Sequence, residues 1–126
     1  MNHCELQALR KLLMIDVSEA AQHIGNVSSR TWQYWESARY NIPEDVISSV
    51  KDLVHKRQMM IAQLKDKCTA ALKKDKHKTI HYHQTFTSFQ EKHPKSDVIS
   101  WRIHQSTTAA VLAELDLSLK DEGAIR

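Results

Sequence analysis

The sequence predicts a mainly α protein: an N-terminal bundle of four to five helices, then a small helical C-terminal part with room for one short strand. Three observations predict it. Only two glycines and two prolines occur in 126 residues, so the chain has few hairpin turns to offer a sheet. Apolar residues recur at three- and four-residue intervals along most of its length. Side chains of the kind that cap helices (Asp16, Ser28, Ser29, Ser96, Asp97) stand just ahead of those runs.

Residues 2–14 read as an amphipathic first helix, with Leu6, Leu9, Leu12 and Leu13 inward and Glu5, Gln7 and Lys11 facing elsewhere. Asp16 with Glu19 three residues later matches a capping box, which opens a second helix with a small inner face of Ala20, Ala21 and Ile24. Gly25 falls where that helix should stop, a place where a left-handed backbone angle costs glycine little, and Asn26 and Val27 complete the turn. Ser28 or Ser29 then caps a third helix whose inward residues are Trp32 and Trp35. At about 100° per residue, Arg30, Gln33, Tyr34 and Ser37 point to the opposite side.

Pro43, Glu44 and Asp45 suit the first turn of a fourth helix, since proline needs no donor there and acids oppose the positive end of the helix dipole. Its stripe of Val46, Val50, Leu53, Val54, Met60, Ile61, Leu64, Cys68, Ala71 and Leu72 runs to about residue 73, long enough to bridge two parts of the molecule. Residues 73–79 form a charged linker, and IHYHQTF after it alternates as a short strand does. Thr85 to Lys92 reads as a short helix with Phe86 and Phe89 inward, ended before Pro94. Ser96 or Asp97 caps a last helix reaching Leu115, although the alternation of Ile99, Trp101 and Ile103 leaves its start open. The tail KDEGAIR reads as frayed.

A chain of this length, 41% hydrophobic, buries one moderate core and a smaller appended one. The expected division is residues 1–76, including the long helix, and residues 77–126. Charge is uneven. Residues 1–45 hold four Lys or Arg against six Asp or Glu, residues 46–78 nine against three, and residues 79–126 five against six. Cys4 and Cys68 are the only cysteines, too few for a disulfide framework or a cysteine-rich zinc site, and they suit a reducing, cytoplasmic setting. No basic lead precedes an apolar run at the N-terminus and no stretch of 18 apolar residues occurs, so neither a signal peptide nor a membrane partner is expected. No nucleophile stands at a suggestive spacing from a base, and no glycine-rich phosphate loop occurs, which argues against an enzyme and against a cofactor.

The segment SEAAQHIG followed by NVSSRTWQYWESARYNIP resembles the lambda-repressor-like (XRE) helix-turn-helix superfamily over residues 1 to about 45. Ala20, Ala21, Gly25 and Glu36 reproduce its small-residue second helix, its turn glycine and the acid ending the recognition helix; Arg10 is placed to pair with that acid. Two departures are an extra turn residue, Asn26, and Ala38 where glycine is usual. More narrowly, ELQALRKLLMIDVSEAAQHI, SSRTWQYWES and ISWRIHQSTTAA resemble the second-type anti-CRISPR-associated repressors of phage and bacteria. That resemblance implies a homodimer that binds an inverted-repeat operator in double-stranded DNA and represses its own operon.

Carried over by position, Ser29, Arg30, Gln33 and Tyr34 take the base-facing slots, with arginine suited to guanine and glutamine to adenine. Ser18, Ser28, Thr31 and Arg39 are expected on phosphate, supplemented by Lys51, Lys56 and Arg57 if the fourth helix lies beside the first three. Two half-sites about 34 Å apart demand two recognition helices. Phe86, Phe89, Trp101, Ile103, Val111 and Leu115 are the expected dimerisation residues, although the same side chains could form a private core. RNA stays open as a further target. His81 with His83 would share one face of a strand, a metal-ligating spacing, but with no carboxylate or cysteine at a matching interval packing histidines are the reading and no metal is expected. A different class is an antitoxin or protein-binding module on the same scaffold, which a neighbouring toxin gene would favour.

Overall fold

In the computed structural model, which describes residues 1–74, 79–115 and 118–121, the chain forms two units, residues 1–56 and 57–126. In the first, α1 (His3–Leu12) opens on a capping box that the sequence reading passed over. Asn2 accepts the Glu5 N–H at 2.8 Å and Glu5 accepts the Asn2 N–H at 2.9 Å. Its C-terminus closes as a Schellman motif around Met14, at φ 60°: the Met14 N–H donates to Lys11 C=O at 3.0 Å and the Ile15 N–H to Arg10 C=O at 3.1 Å. Leu6 and Leu13 are fully buried and Leu9 is half-buried, but Leu12 keeps 40% of its surface exposed. It lies about 120° round the helix from Leu6, at the edge of the stripe.

Glu19 accepts the Asp16 N–H at 3.0 Å, closing the expected box at the start of α2 (Val17–Ala20). The helix runs on into one π-helical turn, Ala21–Gly25, wide enough to take up the extra turn residue. Asn26, not Gly25, adopts the left-handed conformation (φ 53°, ψ 45°). Gly25 serves close approach instead. A Cβ there would lie 3.0 Å from Trp35 Cζ3, 3.1 Å from Val27 Cγ2 and 3.3 Å from Trp32 Cε3. Helix α3 (Ser29–Glu36) is capped by Ser28, whose hydroxyl accepts the Thr31 N–H at 3.2 Å. It ends on a second Schellman motif, with Ala38 left-handed (φ 66°) where a glycine is usual and the Arg39 N–H on Tyr34 C=O at 2.9 Å.

Helix α4 (Glu44–Lys73) starts one residue after Pro43, whose carbonyl accepts the Val46 and Ile47 N–H groups at 3.1 Å, so the proline is the cap and not the first helical residue. α1, α2 and the π turn all pack on α3. The core they enclose is Leu6, Leu13, Ile15, Ala20, Ala21, Trp32 and Trp35, with Val46, Ile47 and Val50 from α4 also buried.

The divide between the units falls inside α4. In the second unit β1 (Thr79–Tyr82) pairs in parallel with β2 (Ser118–Asp121), Thr79 opposite Ser118 and Tyr82 opposite Asp121. Where one strand was expected there are two. Lys120 and Asp121 of the supposedly frayed tail belong to β2, held by main-chain pairing to a strand far back in sequence, while residues 122–126 lie outside the described residues, as do residues 75–78 of the charged linker. α5 (Phe86–Lys92) is capped by Thr85 and α6 (Val98–Glu114) by Asp97, which accepts the Ser100 N–H at 2.9 Å.

Ile99, Trp101, Ile103, Gln105, Ser106, Thr107, Thr108 and Val111 of α6 are all buried. A helix buried round most of its circumference has no single apolar stripe, which is why Ile99, Trp101 and Ile103 mimic a strand. Its polar side chains are largely engaged: Gln105 Nε2 and Trp101 Nε1 both donate to His83 C=O, at 3.0 and 2.9 Å, and Arg57 Nε donates to Ser106 Oγ at 2.6 Å. Of the residues expected at a dimer contact, Phe89, Trp101, Ile103 and Val111 are buried within their own chain. Phe86 and Leu115 are half-buried and keep surface. β1 ends at Tyr82, so His83 lies just past the strand; His81 is exposed and His83 buried. Among the described residues no group of three or more His, Cys, Asp or Glu is arranged to hold a metal, Cys4 and Cys68 are free thiols, and no helix is long and apolar enough to cross a membrane.

Candidate nucleic-acid interface

The outer face of α3 is positioned by what its inner face does. Trp32 is fully buried and Trp35 nearly so, their rings 5.4 Å apart and tilted by 60°. Glu36, one turn after Trp32, turns inward to Arg10 of α1. Arg10 Nε donates to Glu36 Oε2 at 2.7 Å and Nη2 to Oε1 at 3.1 Å, a bidentate pair, while Nη1 reaches Ile15 C=O at 2.9 Å. The Trp32 indole N–H donates to the same carboxylate. Burial pushes the Glu36 pKa up, but the hydrogen bonds from Arg10 and Trp32 and the charge of Arg10 outweigh it and hold the carboxyl below its usual range. One carboxylate therefore ties α3 to α1 and fixes the rotation of α3 about its axis.

That rotation leaves Ser29, Arg30 and Gln33 exposed on the outer side. Tyr34 is half-buried: its ring packs edge-on to Tyr40 at 5.1 Å, and the Arg39 guanidinium lies over it, 4.7 Å from the ring centroid. Ser37, beyond the helix, is exposed, with its hydroxyl on Tyr34 C=O at 3.3 Å. Chemically the face offers a guanidinium fork, a carboxamide with both donor and acceptor, a hydroxyl and a phenol, the set that can match base edges.

The residues expected on phosphate fall at its margins. Ser18 is exposed in the first turn of α2, and Ser28 is exposed at the start of α3, its hydroxyl engaged by the Thr31 N–H and 3.2 Å from Thr31 Oγ1. Thr31 is half-buried and Arg39 exposed. On α4, Lys51 and Lys56 are exposed, whereas Arg57 is half-buried on Ser106 and burial lowers its pKa. Arg57 is thus a packing residue of the second unit. Sequence reasoning missed the left-handed Asn26 and the hold of Arg10 on Ile15 C=O. The extra turn residue was the signal for the first; nothing local in the sequence marks the second.

The family model described as Aca2/YdiL-like matches residues 1–119. The chain is 43% identical over 114 residues to the Aca2 repressor of Pectobacterium phage ZF40, a match covering 90% of this chain and 95% of that protein. It is 28% identical, again over 114 residues, to the uncharacterized protein YdiL of Escherichia coli (strain K12), covering 90% of this chain and 94% of that one.

Proposed function

We propose that this chain, which belongs to the Aca2/YdiL-like family, is a transcriptional repressor that binds double-stranded DNA with the outer face of α3 in the major groove. Support comes from a relative of nearly the same length that is named a repressor. The observation that carries the reading is the exposed Arg30 and Gln33 on a helix whose tryptophans and Glu36 are all turned inward.

Arg30 takes a guanine through its two parallel donors and Gln33 an adenine through its amide. Ser29 and Tyr34 complete base contact, the latter with its ring braced by Arg39 and Tyr40. Ser18, Ser28, Thr31 and Arg39 set the register on phosphate, where helix N-termini supply uncharged donors and so compensate the slightly acidic balance of residues 1–45.

The protein acts as a homodimer on an inverted repeat, because two half-sites in successive grooves need two copies of α3. Contact between copies falls in residues 77–126, drawing on Phe86 and Leu115, whose surface the chain does not fully cover. Selection of bound sequences from a random DNA pool tests the reading. It predicts an enriched inverted repeat with half-site centres about one helical turn apart and a dimer in ultracentrifugation; a pool that stays unenriched, or a monomer that binds one half-site as tightly as two, would contradict it.

A further inference from the structure

The second unit holds a feature that DNA binding leaves unused, a cavity of about 460 Å³ lined by His81, His83, Lys92, His93 and His104. Three elements supply these residues: His81 lies on β1 and His83 just past it, Lys92 and His93 at the end of α5, and His104 in the middle of α6. Phe89 of α5 gathers three of the rings. Its centroid is 4.6 Å from His93, 5.3 Å from His104 and 5.6 Å from His83. His83 is fixed from behind by a hydrogen bond between Nδ1 and Ser88 Oγ at 2.8 Å, and its carbonyl takes the Trp101 and Gln105 donors.

Two properties of the wall point to an occupant. First, among the described residues its polar heads are imidazole nitrogens and one ammonium, with no carboxylate beside them. Second, four of the five lining side chains are imidazoles, whose faces and edges suit contact with an aromatic ring. The volume suits a ligand of one or two rings. At neutral pH His104 is uncharged, its pKa lowered to about 4 by burial and then by the charges of His83, His93 and His81, so it adds no buried charge to the wall.

We propose that this cavity is a binding site for a small aromatic carboxylate, with Lys92 pairing its charge and the ligand's ring packing against the imidazoles that line the wall. The site lies wholly within the second unit and needs no DNA, so it stands or fails separately from the repressor reading.

Benzoate titrated into the full chain at constant ionic strength, with chloride as the control, tests it by histidine-ring proton–nitrogen spectra and by thermal midpoint. Saturable shifts of the His104 and His93 ring signals, with a midpoint that rises with benzoate and not with chloride, are the expected result. Lys92 is exposed, so Lys92→Ala should leave the free protein's midpoint unchanged while weakening apparent affinity about tenfold. His104→Gln should abolish the saturable shift at His93. Linear shifts, equal shifts with chloride, or an affinity untouched by Lys92→Ala would overturn the assignment.

Discussion

Replacing Glu36 by alanine should destabilise the first unit by about 3 kcal/mol, and the figure follows from what the carboxylate holds. The side chains of Arg10 and Glu36 keep only 12% and 7% of their surface, and the pair makes two hydrogen bonds at 2.7 and 3.1 Å. Truncation strips the guanidinium of its counter-charge and the Trp32 indole of its acceptor, leaving Arg10 only Ile15 C=O. Breaking such a buried pair from one side costs about 3–5 kcal/mol, and the small residual exposure of Arg10 places this one at the lower end. A domain has about 5–15 kcal/mol in all, so the loss is severe but survivable.

Urea unfolding followed by fluorescence in a Trp101→Phe background reports Trp32 and Trp35 alone. The expected result is a lower midpoint with an unchanged slope. The double replacement Arg10→Met with Glu36→Leu should recover most of the loss, because it removes both buried charges together. Acidification gives a second readout. The folded-state pKa of Glu36 is depressed, so its contribution is present above the unfolded value of 4.5 and is lost as pH falls through the folded one. A Glu36→Ala cost below about 1 kcal/mol, or strictly additive single variants, would mean the pair behaves as a surface ion pair and does not fix α3.

Gly25→Ala should cost about 1–3 kcal/mol, since its Cβ would press on Trp35 at 3.0 Å; an unchanged thermal midpoint would show that the tryptophans yield freely. Ala38→Gly should stabilise by about 1 kcal/mol by relieving a left-handed alanine, measured by calorimetry, and a lower midpoint would refute that account. His104 has its folded pKa depressed to about 4 from 6.5, so it contributes stability above pH 6.5 that is lost as pH falls across that window. A His104→Gln variant should therefore lose less stability than wild type between those values in pH-resolved melts, and parallel curves would contradict the burial of the imidazole.

Features decided within one helical turn were legible in the sequence: the Asp16–Glu19 box, the Ser28 cap, the inward tryptophans and the long stripe of α4. Arg10 was matched to Glu36 through a family resemblance and not through spacing. What stayed hidden depends on distance in space. Gly25 is in place because two tryptophans approach it, a fact invisible beside the simpler expectation of a helix-ending glycine. Leu12 belongs to the leucine pattern but falls at its edge, where a 3.6-residue period and a short helix leave it exposed. β2 carries a polar sequence and exists through its main-chain partner, and α6 hides its period by being buried almost all round. The cavity had no sequence signal beyond its histidines, because β1, α5 and α6 have to come together before they share a wall.

The central claim is that α3 reads bases with Arg30 and Gln33, and the most direct measurement compares Arg30→Ala and Gln33→Ala with wild type on the selected operator and on unrelated DNA. Each variant should lose about 1–3 kcal/mol of operator affinity, relax specificity at one base pair, and keep the wild-type thermal midpoint because both side chains are exposed. Unchanged operator binding, or an equal loss on both DNAs, would contradict the claim.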